Sequence, residues 1–123
     1  ELPQAVLDTC NEDIEDFHSG GSVSQVTDPM AAVVDADIVY TDVWASMGQE
    51  AEVEERKQIF ADYTITSDML DNAKPTVMLL HCLPAHYGDE IEEGLQRDPR
   101  SGIYPQAENR LHAQKAVLAL MIR

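Results

Sequence analysis

The chain has few basic residues, few cysteines and no long apolar run. Its 123 residues include 23 acidic and 8 basic side chains, for a formal net charge of −15. Without a basic patch to meet a phosphate backbone, nucleic acid is not an expected partner. Two cysteines are too few for a disulfide scaffold, so a reducing cytoplasm is the expected location. The longest apolar stretches, 77–80 and 116–122, are too short to cross a membrane.

The acidic residues are spread along the chain rather than collected in one tail, with groups at 13–16, 52–55 and 89–93. They form either an ordinary solvated coat or an adaptation to high salt, in which screening relieves the mutual repulsion. Composition alone leaves both interpretations open. A length of 123 residues supports one domain with a modest core.

Helix-like and strand-like segments alternate, which predicts an α/β fold with a parallel sheet. The pattern predicts helices at 3–17, 29–35 (capped by Thr27 or Asp28), 50–60, 67–72 (capped by Ser67), 89–96 and 105–121 (with Pro105 first). It predicts strands at 22–26, 38–40, 76–80 and 102–104. Open parallel sheets bind ligands beyond the carboxyl ends of their strands. The segments that follow 38–40 and 76–80 should therefore share one rim.

The first of these segments, 42–48, reads Asp-Val-Trp-Ala-Ser-Met-Gly. An aspartate after a strand is commonly a turn former or a helix cap, and the tripeptide Ser-Met-Gly alone indicates only a loop. A carboxylate beside a hydroxyl and free backbone amides also suits a zwitterionic amino acid. The carboxylate would take the ammonium group, and the hydroxyl and amides would take the carboxylate group. Trp44 is interpreted as a support for this loop.

The second segment, 81–86, reads His-Cys-Leu-Pro-Ala-His. Two histidines and a cysteine suggest zinc, but no fourth ligand and no Cys-x-x-Cys spacing accompanies them. A Cys82 nucleophile activated by His81 is a second alternative. Adjacent side chains on an extended segment point to opposite sides, which disfavours it.

A third string, 107–112, reads Ala-Glu-Asn-Arg-Leu-His. Arg110 could be an ordinary solvated helix arginine or the partner of a residue one turn away. A cation near the start of a helix opposes the helix dipole, however, and such a position benefits from an anionic partner.

These three strings, in this order, resemble the second half of the ornithine carbamoyltransferases, from about Asp35 to Leu120. The resemblance implies that Asp42, Ser46 and Met47 bind L-ornithine. It also implies that Cys82 and Arg110 act at the catalytic centre, with Cys82 at the amino-acid end and Arg110 stabilising the oxyanion.

The Leu83 carbonyl would accept a hydrogen bond from the carbamoyl amide, and the Leu83–Pro84 bond would be cis. The residues of the first string, 42–48, favour ornithine over putrescine as the substrate. No metal and no organic cofactor is implied.

The same resemblance implies a three-layer, Rossmann-like domain with a parallel sheet and a trimer-based homo-oligomer. The family's carbamoyl phosphate domain carries Ser-Thr-Arg-Thr and His-Pro-x-Gln motifs, and neither string occurs here. Residues 1–123 are therefore expected to be part of the ornithine-binding domain. Its final helix, about 105–122, would pack on the missing N-terminal domain.

The sequence departs from the family at Tyr87, usually arginine, and at Pro105, commonly aspartate. Three alternatives remain: a carbamoyltransferase for another amine, a non-catalytic amino-acid-binding module and a Rossmann-type nucleotide binder. The last lacks a Gly-x-Gly-x-x-Gly string after any predicted strand.

Overall fold

The computed structural model describes residues 2–18, 20–45, 48 and 50–122. It confirms the predicted α/β class with a parallel sheet. Its helices and strands are α1 (Gln4–Asp16), α2 (Pro29–Ala32), β1 (Ile38–Thr41), α3 (Val53–Phe60), α4 (Ser67–Asp71), β2 (Met78–His81) and α5 (Ile103–Met121). Short 3₁₀ helices lie at Glu50–Glu52, Ala61–Tyr63 and Leu95–Arg97. Within the described ranges no helix is long and apolar enough to span a membrane.

The sheet pairs β1 with β2 in parallel, from Ile38 opposite Met78 to Thr41 opposite His81. On its other side β2 makes a parallel bridge from Leu79 to Ser101. Strand β2 is therefore the inner strand of the two. Because the strands are parallel, the segments after Thr41 and His81 leave the sheet at the same rim, as predicted.

The core lies against β2. Leu79 points into it and alternates with the exposed Met78, as the two-residue period of a strand requires. The other buried apolar side chains come from β1, the residue just after α2, the 64–77 region, the 91–95 turn and the first residue of α5: Val33, Val39, Ile65, Met69, Leu70, Val77, Ile91, Leu95 and Ile103. The core thus fixes the base of both segments that reach the rim.

The helix starts show which capping predictions hold. Asp28 caps α2, with its Oδ1 accepting a hydrogen bond from the Met30 amide at 2.9 Å. For α4 the predicted cap, Ser67, is wrong: the cap is Thr66, whose Oγ1 accepts from the Met69 amide at 3.2 Å. Thr66 has the extended backbone that a cap needs, whereas Ser67 is already helical.

The predicted strand at 22–26 is wrong, because these residues are irregular. Both backbone groups of Val23 bond to the side chain of Asn11 on α1: its amide donates at 3.0 Å, and its carbonyl accepts at 3.2 Å. A side chain thus satisfies polar groups that a neighbouring strand would otherwise satisfy.

The predicted helix at 89–96 is also wrong. Ile91 is buried and makes parallel bridges with Ile65 and Tyr87, and only Leu95–Arg97 turn as a 3₁₀ helix. The extended backbone at Ile91 carries its side chain into the core, which a surface helix here would not do.

The predicted strand at 102–104 is wrong, since only Ser101 bridges β2 and α5 begins at Ile103. Pro105 is the third helical residue, not the first. It is tolerated there because the first intrahelical bond runs from Gln106 N to Gly102 O, at 2.9 Å, and a Pro105 amide would have no helical partner. Gly102 packs on β2 so closely that a Cβ would lie 2.8 Å from the Met78 sulfur.

Candidate functional site

A thiol and a carboxylate join the two segments at the rim. Cys82, just after β2, donates from Sγ to Oδ1 of Asp42, just after β1, at 2.9 Å. The Val43 amide donates to the same oxygen at 2.7 Å. These two hydrogen bonds, first that of Cys82 and then that of Val43, lower the pKa of Asp42. The same contact, followed by burial, raises the pKa of Cys82. The pair is therefore a carboxylate and a neutral thiol at neutral pH.

His81 turns away from Cys82, which argues against the His81-activated nucleophile. The His81 side chain is fully buried, and its Nδ1 accepts a hydrogen bond from the Leu83 amide at 2.8 Å. The thiol of Cys82 meets a carboxylate instead, and its raised pKa opposes formation of the thiolate that a nucleophile needs. Across the described ranges, no three His, Cys, Asp or Glu side chains are grouped to hold a metal ion.

Arg110 brings the third string to the same place. Its Nη1, on α5, donates to the Cys82 carbonyl oxygen at 3.0 Å. The acceptor is a neutral carbonyl, so this bond leaves the positive charge of the guanidinium uncompensated. Asp42, Cys82 and Arg110 thus form one connected chain of contacts, while the predicted Ser46 and Met47 lie outside the described residues.

Leu83 has an unusual backbone within this site. Its φ is 56°, in the left-handed region that non-glycine residues rarely adopt, and the Leu83–Pro84 bond is cis, as predicted. Its side chain packs against the core.

A cavity of about 470 Å³ opens beside this chain of contacts. Residues from the two rim segments, from α3 and from the stretch just before Ile91 line it: Asp42, Val43, Trp44, Ala45, Val53, Lys57, Leu83, Pro84, His86, Asp89 and Glu90. Cys82 and Arg110 stand next to the cavity rather than in its lining. Lys57 Nζ lies 2.9 Å from Asp89 Oδ2, and this contact raises the pKa of Lys57. The cavity therefore offers both signs of charge to a ligand.

Trp44 supports the first segment, as predicted. Its ring lies 6.0 Å from that of Phe60, centroid to centroid, and its carbonyl accepts from Nη1 of Arg56 at 3.0 Å. Tyr87, the departure in the second string, is half-buried against the core, and burial followed by the Tyr104 hydroxyl raises its pKa. It adds packing where arginine would add charge.

Two residues of the site escaped sequence analysis. Gln106 accepts from the His81 amide at 3.0 Å and donates to the Tyr40 hydroxyl at 3.2 Å, so it ties α5 to both strands. Its position one helical turn before Arg110 was the available signal. Glu90 is 1% exposed, yet it sits among acidic residues that resemble a solvated face. Nothing in the sequence distinguished it.

The chain is similar to known proteins along nearly its whole length. The family described as aspartate/ornithine carbamoyltransferase, Asp/Orn binding domain, matches residues 1–121. An anabolic ornithine carbamoyltransferase of Pyrococcus furiosus is 57% identical over 104 residues, which cover 85% of this chain and 33% of that protein.

Among solved structures, an ornithine carbamoyltransferase from Pyrococcus furiosus has a TM-score of 0.85 at 51% identity, covering 98% of this chain and 38% of that one. An anabolic ornithine carbamoyltransferase from Campylobacter jejuni also has a TM-score of 0.85, at 32% identity, covering 98% of this chain and 39% of that one. The Rossmann-like fold expected from the sequence agrees with these structures. The chain spans about a third of the length of the curated relatives it matches.

Proposed function

Because the chain belongs to the aspartate/ornithine carbamoyltransferase, Asp/Orn binding domain family, we propose that it is part of an ornithine carbamoyltransferase. The enzyme would transfer the carbamoyl group of carbamoyl phosphate to the δ-amine of L-ornithine, giving L-citrulline and phosphate. One observation carries this proposal: the three motifs meet at one rim, through the Cys82–Asp42 contact at 2.9 Å and the Arg110–Cys82 contact at 3.0 Å.

Asp42 would hold the α-ammonium group of ornithine. Its pKa is lowered, so a full negative charge faces the cavity at neutral pH. A charge-assisted hydrogen bond to an ammonium group is shorter and stronger than one between neutral groups. Ser46 and Met47 would take the α-carboxylate, which leaves the δ-amine directed toward Leu83.

Arg110, Leu83 and Cys82 would serve the transfer step. The uncharged δ-amine attacks the carbamoyl carbon, and negative charge develops on the carbonyl oxygen. The bond to phosphate then breaks, and phosphate leaves with the electron pair and the amine proton. The guanidinium of Arg110 would stabilise the oxyanion, because its present partner is only a neutral carbonyl. The Leu83 carbonyl would accept from the carbamoyl amide, and the Cys82 thiol would line the junction as a neutral donor.

Residues 1–123 would form part of the amino-acid-binding domain, and α5 would pack on a domain that binds carbamoyl phosphate. Large apolar side chains from the middle of α5 onward and just after it are exposed, which supports this packing: Leu111, Val117, Leu118, Leu120, Met121 and Ile122. The relatives' length leaves room for such a domain, since the chain covers 33% of one of them. A trimer-based assembly in the cytoplasm completes the proposal.

The test is a citrulline assay on the intact protein that contains these residues. Carbamoyl phosphate would be supplied with ornithine, with putrescine or with an ornithine modified at its α-amine, and the products identified by mass. We expect citrulline from ornithine and little product from the others. A carbamoyltransferase for another amine would reverse that order.

A non-catalytic amino-acid-binding module would bind ornithine in calorimetry and transfer nothing. The matched control for the assay is purified 1–123 alone, which we expect to be inactive because it lacks the phosphate-binding motifs. Citrulline formation by 1–123 at a rate typical of enzymes, roughly 1–1000 per second, would contradict the domain assignment.

A further inference from the structure

Two buried polar side chains take no part in the chemistry described above. They are His81, at the start of the His81–His86 segment, and Glu90, which contacts this segment. His81 is 0% exposed and Glu90 is 1% exposed. Glu90 Oε1 lies 3.2 Å from His81 Nε2, and Glu90 Oε2 lies 3.8 Å from His86 Nδ1. Burying a carboxylate and an imidazole is costly unless their polar atoms are used. Their contacts show what they are used for.

The contacts of His81 define its tautomer. Its Nδ1 accepts the hydrogen bond of the Leu83 amide at 2.8 Å, so the ring proton must reside on Nε2. That nitrogen faces the Glu90 carboxylate at 3.2 Å but lies outside hydrogen-bond geometry with it, and it has no other hydrogen-bond partner among the described residues. A carboxyl oxygen facing Nε2 suits the tautomer that carries the ring proton on that nitrogen.

Glu90 also holds the far end of the same segment. Its Oε1 accepts a hydrogen bond from the His86 backbone amide at 2.6 Å. One anchored amide is that of Leu83 itself, whose φ is 56°, and the other is that of His86. A non-glycine residue keeps such a conformation only where its surroundings enforce it. The backbone around Leu83 is therefore held by His81 at its own amide and by Glu90 three residues further on.

We propose that His81 and Glu90, together called the buried tether, are positioning residues that fix the left-handed Leu83 and aim the Cys82 and Leu83 carbonyls. The first carbonyl already contacts Arg110, at 3.0 Å, and the second would meet the carbamoyl group. The role in transfer rests on the proposed function, whereas the geometry of the tether does not. Glu90 faces the protonated Nε2 of His81 and holds the His86 amide, His81 holds the Leu83 amide, and the segment is shaped before substrate arrives.

The first experiment is nitrogen NMR of the intact protein labelled with ¹⁵N-histidine. Resonances of His81 are assigned by their loss in His81→Gln, and the exposed His112 is the reference. We expect an unprotonated Nδ1 and a protonated Nε2 at His81. In Glu90→Gln, which keeps an acceptor for the His86 amide, we expect the Nε2 resonance to shift while Nδ1 stays unprotonated. A proton on Nδ1, or an Nε2 resonance indifferent to Glu90→Gln, would overturn the proposal.

The second experiment compares two shapes of amide at position 81. In His81→Asn the side-chain oxygen can replace Nδ1 as the acceptor for the Leu83 amide. In His81→Gln the longer side chain carries its amide toward Glu90, and the acceptor for the Leu83 amide is lost. We expect His81→Gln to lower kcat roughly 10- to 100-fold, as small misplacements of reacting groups do, with little change in KM for ornithine. His81→Asn should retain more turnover, and His112→Asn should match the unmodified protein.

Equal kcat values for the two variants, or a loss confined to KM, would overturn the positioning role. If the intact protein forms no citrulline, the proposed function fails while the NMR result still decides the geometry of the tether. The two failures are therefore distinguishable.

Discussion

The two strands of the sheet differ in how deeply they are buried, and the segments that follow them differ in the same way. On β2, Leu79 and His81 are both 0% exposed, and the segment beyond is anchored by buried groups at its two ends. On β1, their partners Val39 and Thr41 are 7% exposed and half-buried, respectively, and Asp42 beyond them is held by one thiol and one amide.

This difference suggests separate roles for the two segments in the proposed site. The segment after β2 has its shape fixed by the core, which suits groups that must meet a reacting atom in a defined position. The segment after β1 offers a charged side chain at the edge of the cavity, which suits recognition of a charged substrate group. Substitutions on the two sides should therefore produce different kinds of defect.

The largest expected effect concerns the strands themselves. Leu79→Ala empties a fully buried position on β2 and should lower the free energy of unfolding by about 2–5 kcal/mol. Ile38→Ala on β1, opposite the exposed Met78, removes a side chain that is 58% exposed and should cost well under half of that. Urea denaturation of both variants measures the difference. Equal losses would contradict the contrast between a core position of β2 and an outward position of β1.

Arg110→Ala tests the connection between α5 and the segment after β2. Removing one donor that stabilises an oxyanion lowers turnover by roughly 10²–10³-fold, and we expect that range here with a smaller change in the KM for ornithine. The exposed Arg97, in the 3₁₀ helix Leu95–Arg97, provides the control variant Arg97→Ala. A variant lacking Arg110 that kept full kcat would remove this residue from the transfer step.

Asp42→Asn tests the segment after β1. The change keeps the shape of the side chain and removes its charge, so the α-ammonium loses a partner worth about 1.5–3 kcal/mol, or roughly 10- to 150-fold. We expect this loss as a higher KM for ornithine, with carbamoyl phosphate binding nearly intact. Asp37→Asn is the control, because Asp37 lies just before β1 and pairs with Lys74 at 2.7 Å. Unchanged ornithine kinetics in Asp42→Asn would show that this segment does not bind the amino acid.

The sequence predicted the parts of this arrangement that depend on local pattern and chain direction. The apolar runs located β1 and β2, and parallel pairing then placed Asp42 and Cys82 at one rim. Pro29 placed the start of α2 and narrowed its cap to Thr27 or Asp28, and the structure shows that the cap is Asp28.

The failures occurred where a distant contact decides the local structure. The 22–26 segment is satisfied by the Asn11 side chain on α1, and Ile91 is drawn into the core by Ile65 and Tyr87. Glu90 is the clearest case, because three neighbouring acidic residues made it resemble a surface carboxylate. Only the tertiary contacts with His81 and His86 reveal that it is buried.

The smallest expected effect concerns the hydrogen bond between Cys82 and Asp42, which joins the two segments. Asp42 raises the pKa of Cys82 through the hydrogen bond and its charge, and only the thiolate form reacts with iodoacetamide. In Asp42→Asn the charge is gone, so the pKa of Cys82 should fall, more thiolate should be present at pH 8, and alkylation should become faster. Peptide mass spectrometry follows Cys82 and Cys10 in one sample, and Cys10, on α1, serves as the internal reference. If the alkylation rate of Cys82 in Asp42→Asn stays constant or falls relative to that of Cys10, the Cys82 thiol does not bond to Asp42 in solution.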